Sequence, residues 1–244
     1  TNKLAQKAYN FIGTSLTKLI LKADLVAVTM DKYVTTLEEK YKTGNVKMIP
    51  HGTFEIPAEP SHDLPEGPLK IMTFGKFGTY KKVERMIEAV EMVRASSGLD
   101  LEIVVAGTDN PNVPGYLKNV QEKYKHVPQL RFTGYVEEEE VAPLFTESAV
   151  VVFPYTSTTG SSGVLHQAGS YGKAVVMPNL GDLATLSEDE GYRGEFFAPE
   201  STESLAKAIE AIVTNNDHRI HLEKANYEAA TAYPMERITN IYLE

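Results

Sequence analysis

The chain has 244 residues, 42 % of them hydrophobic, with no cysteine and a formal net charge of −9 at pH 7. That length and apolar content suffice for one large or two small domains with a real core. The acidic balance argues against nucleic acid or an anionic membrane as the main partner, and the absence of cysteine excludes disulfides, a thiolate nucleophile and a zinc knuckle.

In chain order, Leu4, Ala8, Phe11, Ile12, Leu16, Leu19 and Ile20 recur at helical spacing and predict a helix over 4–23. A buried strand is expected at 24–29, a helix at 31–42 and another strand at 46–49. Five prolines (Pro50, Pro57, Pro60, Pro65 and Pro68) then crowd a segment without periodicity, which marks a linker over 51–68. Beyond it strands and helices alternate. Strands are expected at 69–74, 101–106, 130–133, 149–153 and 174–177, with a weaker one near 195–197. Helices are expected at 81–95, 115–125, 137–147, 163–171, 202–214, 217–231 and 235–243. Such alternation predicts parallel βαβ units and an α/β, doubly wound sheet. The expected division is 1–50 as the incomplete end of a preceding domain, 51–68 as linker, 69–232 as the main domain and 233–244 as a terminal helix.

Two strand-to-helix loops carry chemistry. The apolar run Ala149–Phe153 ends in Pro154-Tyr155, then Thr156–Gly163 forms a Gly/Ser loop that opens a helix. The N–H groups of a helix's first turn lack partners within the helix, and the dipole favours negative charge there. Glycine lets the backbone approach such a ligand. The alternative is a flexible surface loop. The second loop follows the strand Leu69–Phe74 and reads Gly75-Lys76-Phe77-Gly78-Thr79-Tyr80-Lys81-Lys82. Lysines are usually solvated surface groups, but here they flank a glycine turn at the carboxyl end of a strand, where open α/β sheets bind ligands. A lysine ammonium binds phosphate as a point charge.

The six histidines show no HExxH-type or paired ligand spacing, and no Asp-x-Asp motif is present, so no metal ligand is assigned. No apolar run nears the roughly 18–20 residues of a membrane span, and no signal-peptide pattern opens the sequence. A cytoplasmic protein is expected, compatible with peripheral membrane attachment in a complete enzyme.

The order and spacing of these motifs resemble glycosyltransferase family 4, retaining enzymes of the two-domain, Rossmann-like GT-B type. Phe74-Gly75-Lys76-Phe77-Gly78-Thr79-Tyr80-Lys81-Lys82 resembles the family's strand-Gly-(Arg/Lys)-x4-Lys-Gly-helix. Val104-Val105-Ala106-Gly107 resembles its next strand-Gly, and Phe132-Thr133-Gly134-Tyr135-Val136 its segment near the nucleotide base. Gln167–Val176 is similar to Glu-Ala-x-Ala-x-Gly-x-Pro-Val-Val, while 24–29 and 46–52 resemble the close of the acceptor domain and the hinge.

The resemblance implies a nucleoside diphosphate sugar as donor and no cofactor or metal. Lys76 and Lys81 would act on the leaving diphosphate. Gly75, Gly134, Tyr135, Thr159, Gly160, Ser161, Ser162, Gly163, Val164 and Gln167 would bind the nucleotide. Two departures stand out. The family places glutamates at the positions of Thr159 and Gln167, the first on the transferred sugar and the second on the ribose hydroxyls. Most of the acceptor domain is also missing, which leaves room for a separate N-terminal domain or partner chain. The expected function is hexosyl transfer to a glycan, lipid-linked or small-molecule acceptor, in polysaccharide or glycoconjugate biosynthesis, with a UDP- or GDP-sugar as donor. A non-catalytic nucleotide-sugar-binding or interaction module is the alternative. An epimerase or phosphorylase of like architecture is a third reading, though no pyridoxal-phosphate lysine context is evident.

Overall fold

A computed structural model describes residues 3–54, 56–58, 60–157 and 162–243. Its contacts divide the chain into two compact units, Thr1–His51 with Ile238–Glu244, and Gly52–Arg237. In the first, α1 (Lys3–Ile20), β1 (Val26–Val28), α2 (Asp31–Tyr41) and β2 (Val46–Met48) follow one another, and the two strands pair in parallel from Val26↔Val46 to Val28↔Met48. Asn45 Nδ2 donates to the carbonyls of Leu21 and Ala23 (3.1 and 2.6 Å), which closes the end of α1. No residue of α1 is buried.

The second unit runs β3 (Leu69–Phe77), α3 (Glu84–Ser97), β4 (Leu101–Asp109), α4 (Tyr116–Lys123), β5 (Leu130–Gly134), α5 (Glu138–Thr146), β6 (Ser148–Val152), α6 (Gly163–Ser170), β7 (Val175–Pro178), α7 (Gly181–Asp189), β8 (Glu195–Phe197), α8 (Thr202–Val213) and α9 (Asn216–Thr231). A last helix, α10 (Met235–Leu243), begins here and ends in the first unit. The six strands form one all-parallel sheet in the order β5-β4-β3-β6-β7-β8. The chain winds outward from β3 in one direction, returns, and winds outward from β6 in the other. The switch point therefore lies between β3 and β6.

The apolar strand runs follow from burial on both faces. Along β3, β4, β6 and β7, successive residues alternate between two cores. Ile71, Ile103, Val105, Val150, Val152 and Val176 face α3, α4 and α8, where Met86, Ile87, Val90, Val120, Leu205 and Ile209 meet them. Met72, Val104, Val151, Val175 and Met177 face the other way, against Phe145 of α5, Leu165 and Ala168 of α6, Leu183 of α7 and Ala230 of α9. Burying each large aliphatic side chain contributes about 1.5–3 kcal/mol, so these two layers fix the register of the whole sheet.

Several boundaries differ from the sequence expectation: α1 ends at Ile20 rather than 23, and β1 spans only Val26–Val28 of the expected 24–29. β3 and β4 each run three residues further, because their ladder continues through Gly75↔Gly107 to Phe77↔Asp109. The Asp109 carboxylate then accepts from the amides of Gly115 and Leu117 (2.6 and 2.7 Å) and anchors the start of α4. Helix α3 starts at Glu84 rather than 81, since the backbone of Lys81 and Lys82 is engaged elsewhere. Helix α7 was not expected at all.

The proline-rich segment lies along α9. Thr53 Oγ1 donates to Ala230 O and Tyr227 OH to Pro57 O, both at 2.8 Å. His62 Nδ1 lies 2.8 Å from Glu223 Oε2, and Arg219 holds the other oxygen of that buried carboxylate at 2.6 Å.

Candidate functional site

The two loops singled out in the sequence leave the carboxyl ends of β3 and β6, the two strands that flank the switch point. They are zipped together. Lys81 and Tyr155 form an isolated antiparallel bridge, Lys82 N donates to Pro154 O and Thr156 N to Tyr80 O, both at 2.9 Å. Gly78 N donates to Lys81 O at 3.0 Å and tightens the turn. This pairing holds residues 81–83 out of α3.

Lys81 is the best-defined group of the site. Only 8 % of it is exposed, and no carboxylate among the described residues pairs with it. Its ammonium faces two aromatic rings instead, with Nζ 4.9 Å from the centroid of Tyr155 and 5.9 Å from that of Tyr80. Burial pulls its pKa down from 10.5 to about 8, because desolvation disfavours the charged form. Gly75 makes this placement possible. A Cβ there would sit 2.7 Å from Lys81 Nζ, and the backbone φ is +130°, a region L side chains rarely adopt. Gly107, its partner across the ladder, is required just as strictly, since a Cβ there would collide with the carbonyl of Gly75.

Lys76 lies inside β3 rather than in the loop, exposed at the strand's carboxyl end beside the fully buried Phe77. The structure does not bring it into a described contact with Lys81. Lys82, the third cation of this loop, is committed locally. Its Nζ donates to Gly78 O at 2.6 Å and lies 4.9 Å from the Tyr116 ring.

On the β6 side, Thr159, Gly160 and Ser161 fall outside the described residues. Ser162 is the N-cap of α6, with extended φ/ψ of −124°/112°. The amide of Leu165 bonds to Ser162 O at 2.8 Å, so the first-turn N–H groups without a partner inside the helix are those of Gly163 and Val164. Gly163 is exposed and Val164 half-buried, while Leu165 and Ala168 are sunk in the core. Gln167 is half-buried one turn beyond Gly163. Helical side chains lean back towards the N-terminus, which from Gln167 is the direction of this turn. Its side chain has no hydrogen bond among the described residues.

Gly134 ends β5 and Tyr135 follows it, at the same end of the sheet but two strands from β3, or about 10 Å at the usual strand spacing. Tyr135 is 72 % exposed. Thr133 Oγ1 accepts from Gly107 N at 3.1 Å and donates to Gly134 O, tying this turn to β4.

Sequence reasoning missed the aromatic walls Tyr80 and Tyr155. The only signal for them is position, one residue before the lysine and one after the proline that ends β6. Among the described residues no group of three or more His, Asp or Glu side chains could hold a metal ion. No helix there is long and apolar enough to cross a membrane.

The parallel sheet with its switch point between β3 and β6, and a cationic loop meeting a helix N-terminus there, define a Rossmann-like α/β fold of the GT-B type. Residues 68–215 match the glycosyl transferases group 1 family, and the chain belongs to that family. No curated protein matches the sequence. Among solved structures it is similar to a glycosyltransferase from Rickettsia africae ESF-5 (TM-score 0.75, 16 % identity, covering 94 % of this chain and 65 % of that one). It is also similar to sucrose-phosphate synthase from Thermosynechococcus elongatus (0.74, 22 %, 93 % and 58 %). Anabaena HepE in complex with UDP is a third (0.73, 16 %, 91 % and 63 %). The chain thus spans less than two thirds of the length of each.

Proposed function

We propose that the second unit binds a nucleoside diphosphate sugar across the carboxyl ends of β3 and β6, and that it serves as the donor half of a retaining, family 4-type glycosyltransferase. The observation that carries this reading is the desolvated Lys81 ammonium on the ring of Tyr155, whose hydroxyl lies 3.4 Å from Ser162 Oγ at the start of α6, at the carboxyl ends of the two switch-point strands. Transfer breaks the bond between the anomeric carbon and the diphosphate, so negative charge develops on the leaving oxygen. Lys81, Lys76 at the strand end, and the amides of Ser162, Gly163 and Val164 would stabilise that charge in place before the bond breaks. The reading assigns this work to protein groups and asks for no metal. Gly134 and Tyr135 would border the base and Gln167 the ribose. The neighbour HepE was solved with UDP-glucose as well as with UDP, which makes a UDP-sugar the first donor to try and a GDP-sugar the second. The acceptor would be a glycan, a lipid-linked saccharide or a small molecule.

The test is thermal stability against UDP, GDP, ADP and their sugars. A ligand at a hundred times its dissociation constant stabilises the folded state by roughly 2.7 kcal/mol. For a chain of this size that is a rise in Tm of about 5–10 °C. Flat curves with every nucleotide at millimolar concentration would sink the reading. A neutral Gln167 where the family carries a glutamate favours a second reading, in which the donor is bound but not transferred. Donor binding without hydrolysis or transfer would select it.

A further inference from the structure

We infer that Tyr155 is a positioning residue for the diphosphate: its ring face holds the Lys81 ammonium in aim while leaving that charge unneutralised for the ligand. The inference rests on the reading of the β3–β6 tip as a diphosphate site. Tyr155 is 3 % exposed and locked on both sides by aromatic edges, Phe153 at 5.4 Å and 75° and Tyr80 at 5.3 Å and 87°. Its backbone is bridged to Lys81 itself, and its hydroxyl lies 3.4 Å from Ser162 Oγ at the start of α6, a long contact. The residue therefore touches both halves of the site, one through a ring face and one through a hydroxyl. Lys81 Nζ, 4.9 Å from the ring centroid, is well within the roughly 6 Å over which a cation is attracted to an aromatic face.

The choice of partner matters. A buried lysine is usually held by a carboxylate, which would compete with an incoming diphosphate for the same ammonium. A ring face orients the cation through its quadrupole, carries no net charge and adds no repulsion towards an anion. It is the weaker holder, and a diphosphate oxygen displaces nothing in order to pair.

The experiment measures binding of inorganic pyrophosphate, uridine and UDP by calorimetry. Lys81→Met, Tyr155→Phe, Tyr155→Leu and Tyr155→Met are compared with the parent, and the Lys81→Met/Tyr155→Leu double variant completes a cycle. Tyr155→Met keeps apolar bulk without a ring, so the cycle can be repeated with it if Tyr155→Leu does not fold. Loss of the ring should weaken pyrophosphate and UDP by about 2- to 30-fold, the range of cation–π attraction, and leave uridine within about twofold. Tyr155→Phe, with the ring retained, should recover most of that affinity. In the Lys81→Met background Tyr155→Leu should cost nothing further.

The inference is overturned if uridine and UDP weaken together, which is loss of packing, or if the Tyr155→Leu loss persists undiminished without Lys81. It is equally overturned if ring loss leaves pyrophosphate affinity unchanged. A parent that binds pyrophosphate but not UDP would sink the nucleotide-sugar reading, and the pyrophosphate cycle would still decide the role of Tyr155. A parent that binds neither overturns both.

Discussion

An ammonium buried without a carboxylate is a cost to the folded state. The folded pKa of Lys81, about 8, lies below the ordinary 10.5. Below pH 8 both the native and the unfolded chain hold the proton, so the cost is present in full. Between pH 8 and 10.5 the native state has released its proton and the unfolded chain has not, so stability rises with pH. Lys173, wholly buried with its ammonium on the carbonyls of Thr146 and Ser148, is displaced the same way to about 8 and adds to the same rise. Lys81→Met should therefore stabilise the unliganded protein at pH 7 by about 1–2 kcal/mol, a discounted use of 1.36 kcal/mol per pKa unit. That corresponds to a Tm about 2–8 °C higher by calorimetry. The same change should cut diphosphate affinity tenfold or more, and in the parent that affinity should decline as pH is raised through 8. A lower Tm for Lys81→Met at pH 7 would mean that the ammonium is better solvated than its surroundings imply.

Gln167 invites the opposite substitution. Gln167→Glu would give a ribose hydroxyl a charged acceptor, and bonds to charged groups exceed neutral ones by about 1 kcal/mol. On the proposed reading the carboxylate would also lie near the diphosphate, and repulsion there would work against the gain. Uridine should therefore bind tighter to Gln167→Glu by up to about fivefold, and UDP by less. If calorimetry shows uridine and UDP unmoved in both Gln167→Glu and Gln167→Ala, the residue lies outside the site.

At the scale of elements, the start of α6 is built differently from those of α8 and α9. Asn215 and Ser201 cap α9 and α8, their side-chain oxygens accepting from His218 N and Ser204 N at 3.0 Å. Ser162 makes no such cap on α6, and its hydroxyl points at Tyr155 instead. Asn215→Ala and Ser201→Ala should each cost about 1 kcal/mol in urea unfolding, and Ser162→Ala less than about 0.5 kcal/mol. A loss at Ser162 equal to that at Asn215 would show that α6 relies on its cap and keeps no amides open for a ligand.

These elements also show what could be read from residues alone. Ala149–Phe153 is legible because a strand buried on both faces must be apolar throughout, and the glycine loop after it because a helix start needs a turn. The pairing of Lys81 with Tyr155 was not legible. It joins residues 74 apart through backbone atoms, and no side-chain pattern encodes it, so α3 was read three residues too early. Helix α7 was missed for another reason. Its N-cap is Leu180, its first residue is a glycine, and only Leu183 and Leu186 mark its buried face alongside Ser187. Pro178, Asn179 and Gly181 in that setting read as a turn.

At the scale of the whole chain, the contrast is between a saturated core and one bare helix. The second unit buries most of its apolar residues in the two cores, whereas Phe11, Ile12, Leu16, Leu19 and Ile20 on α1 are each more than half exposed. At 100° per residue these side chains fall on one side of the helix, with Lys3, Lys7 and Lys18 grouped at its flank and no acidic residue anywhere in Lys3–Ile20. An apolar stripe of this extent is more than a solvated surface normally carries. Purified as these 244 residues, the protein should associate reversibly with rising concentration on the order of 100 μM, a range in which exposed apolar surface drives association. Leu16→Lys combined with Leu19→Lys should return it to a monomer by sedimentation velocity. Because α1 contributes nothing buried, the same double variant should leave the Tm within about 1 °C and the UDP affinity unchanged. Two results would count against this account: a parent that stays monodisperse throughout that range, or a double variant that loses donor binding along with self-association.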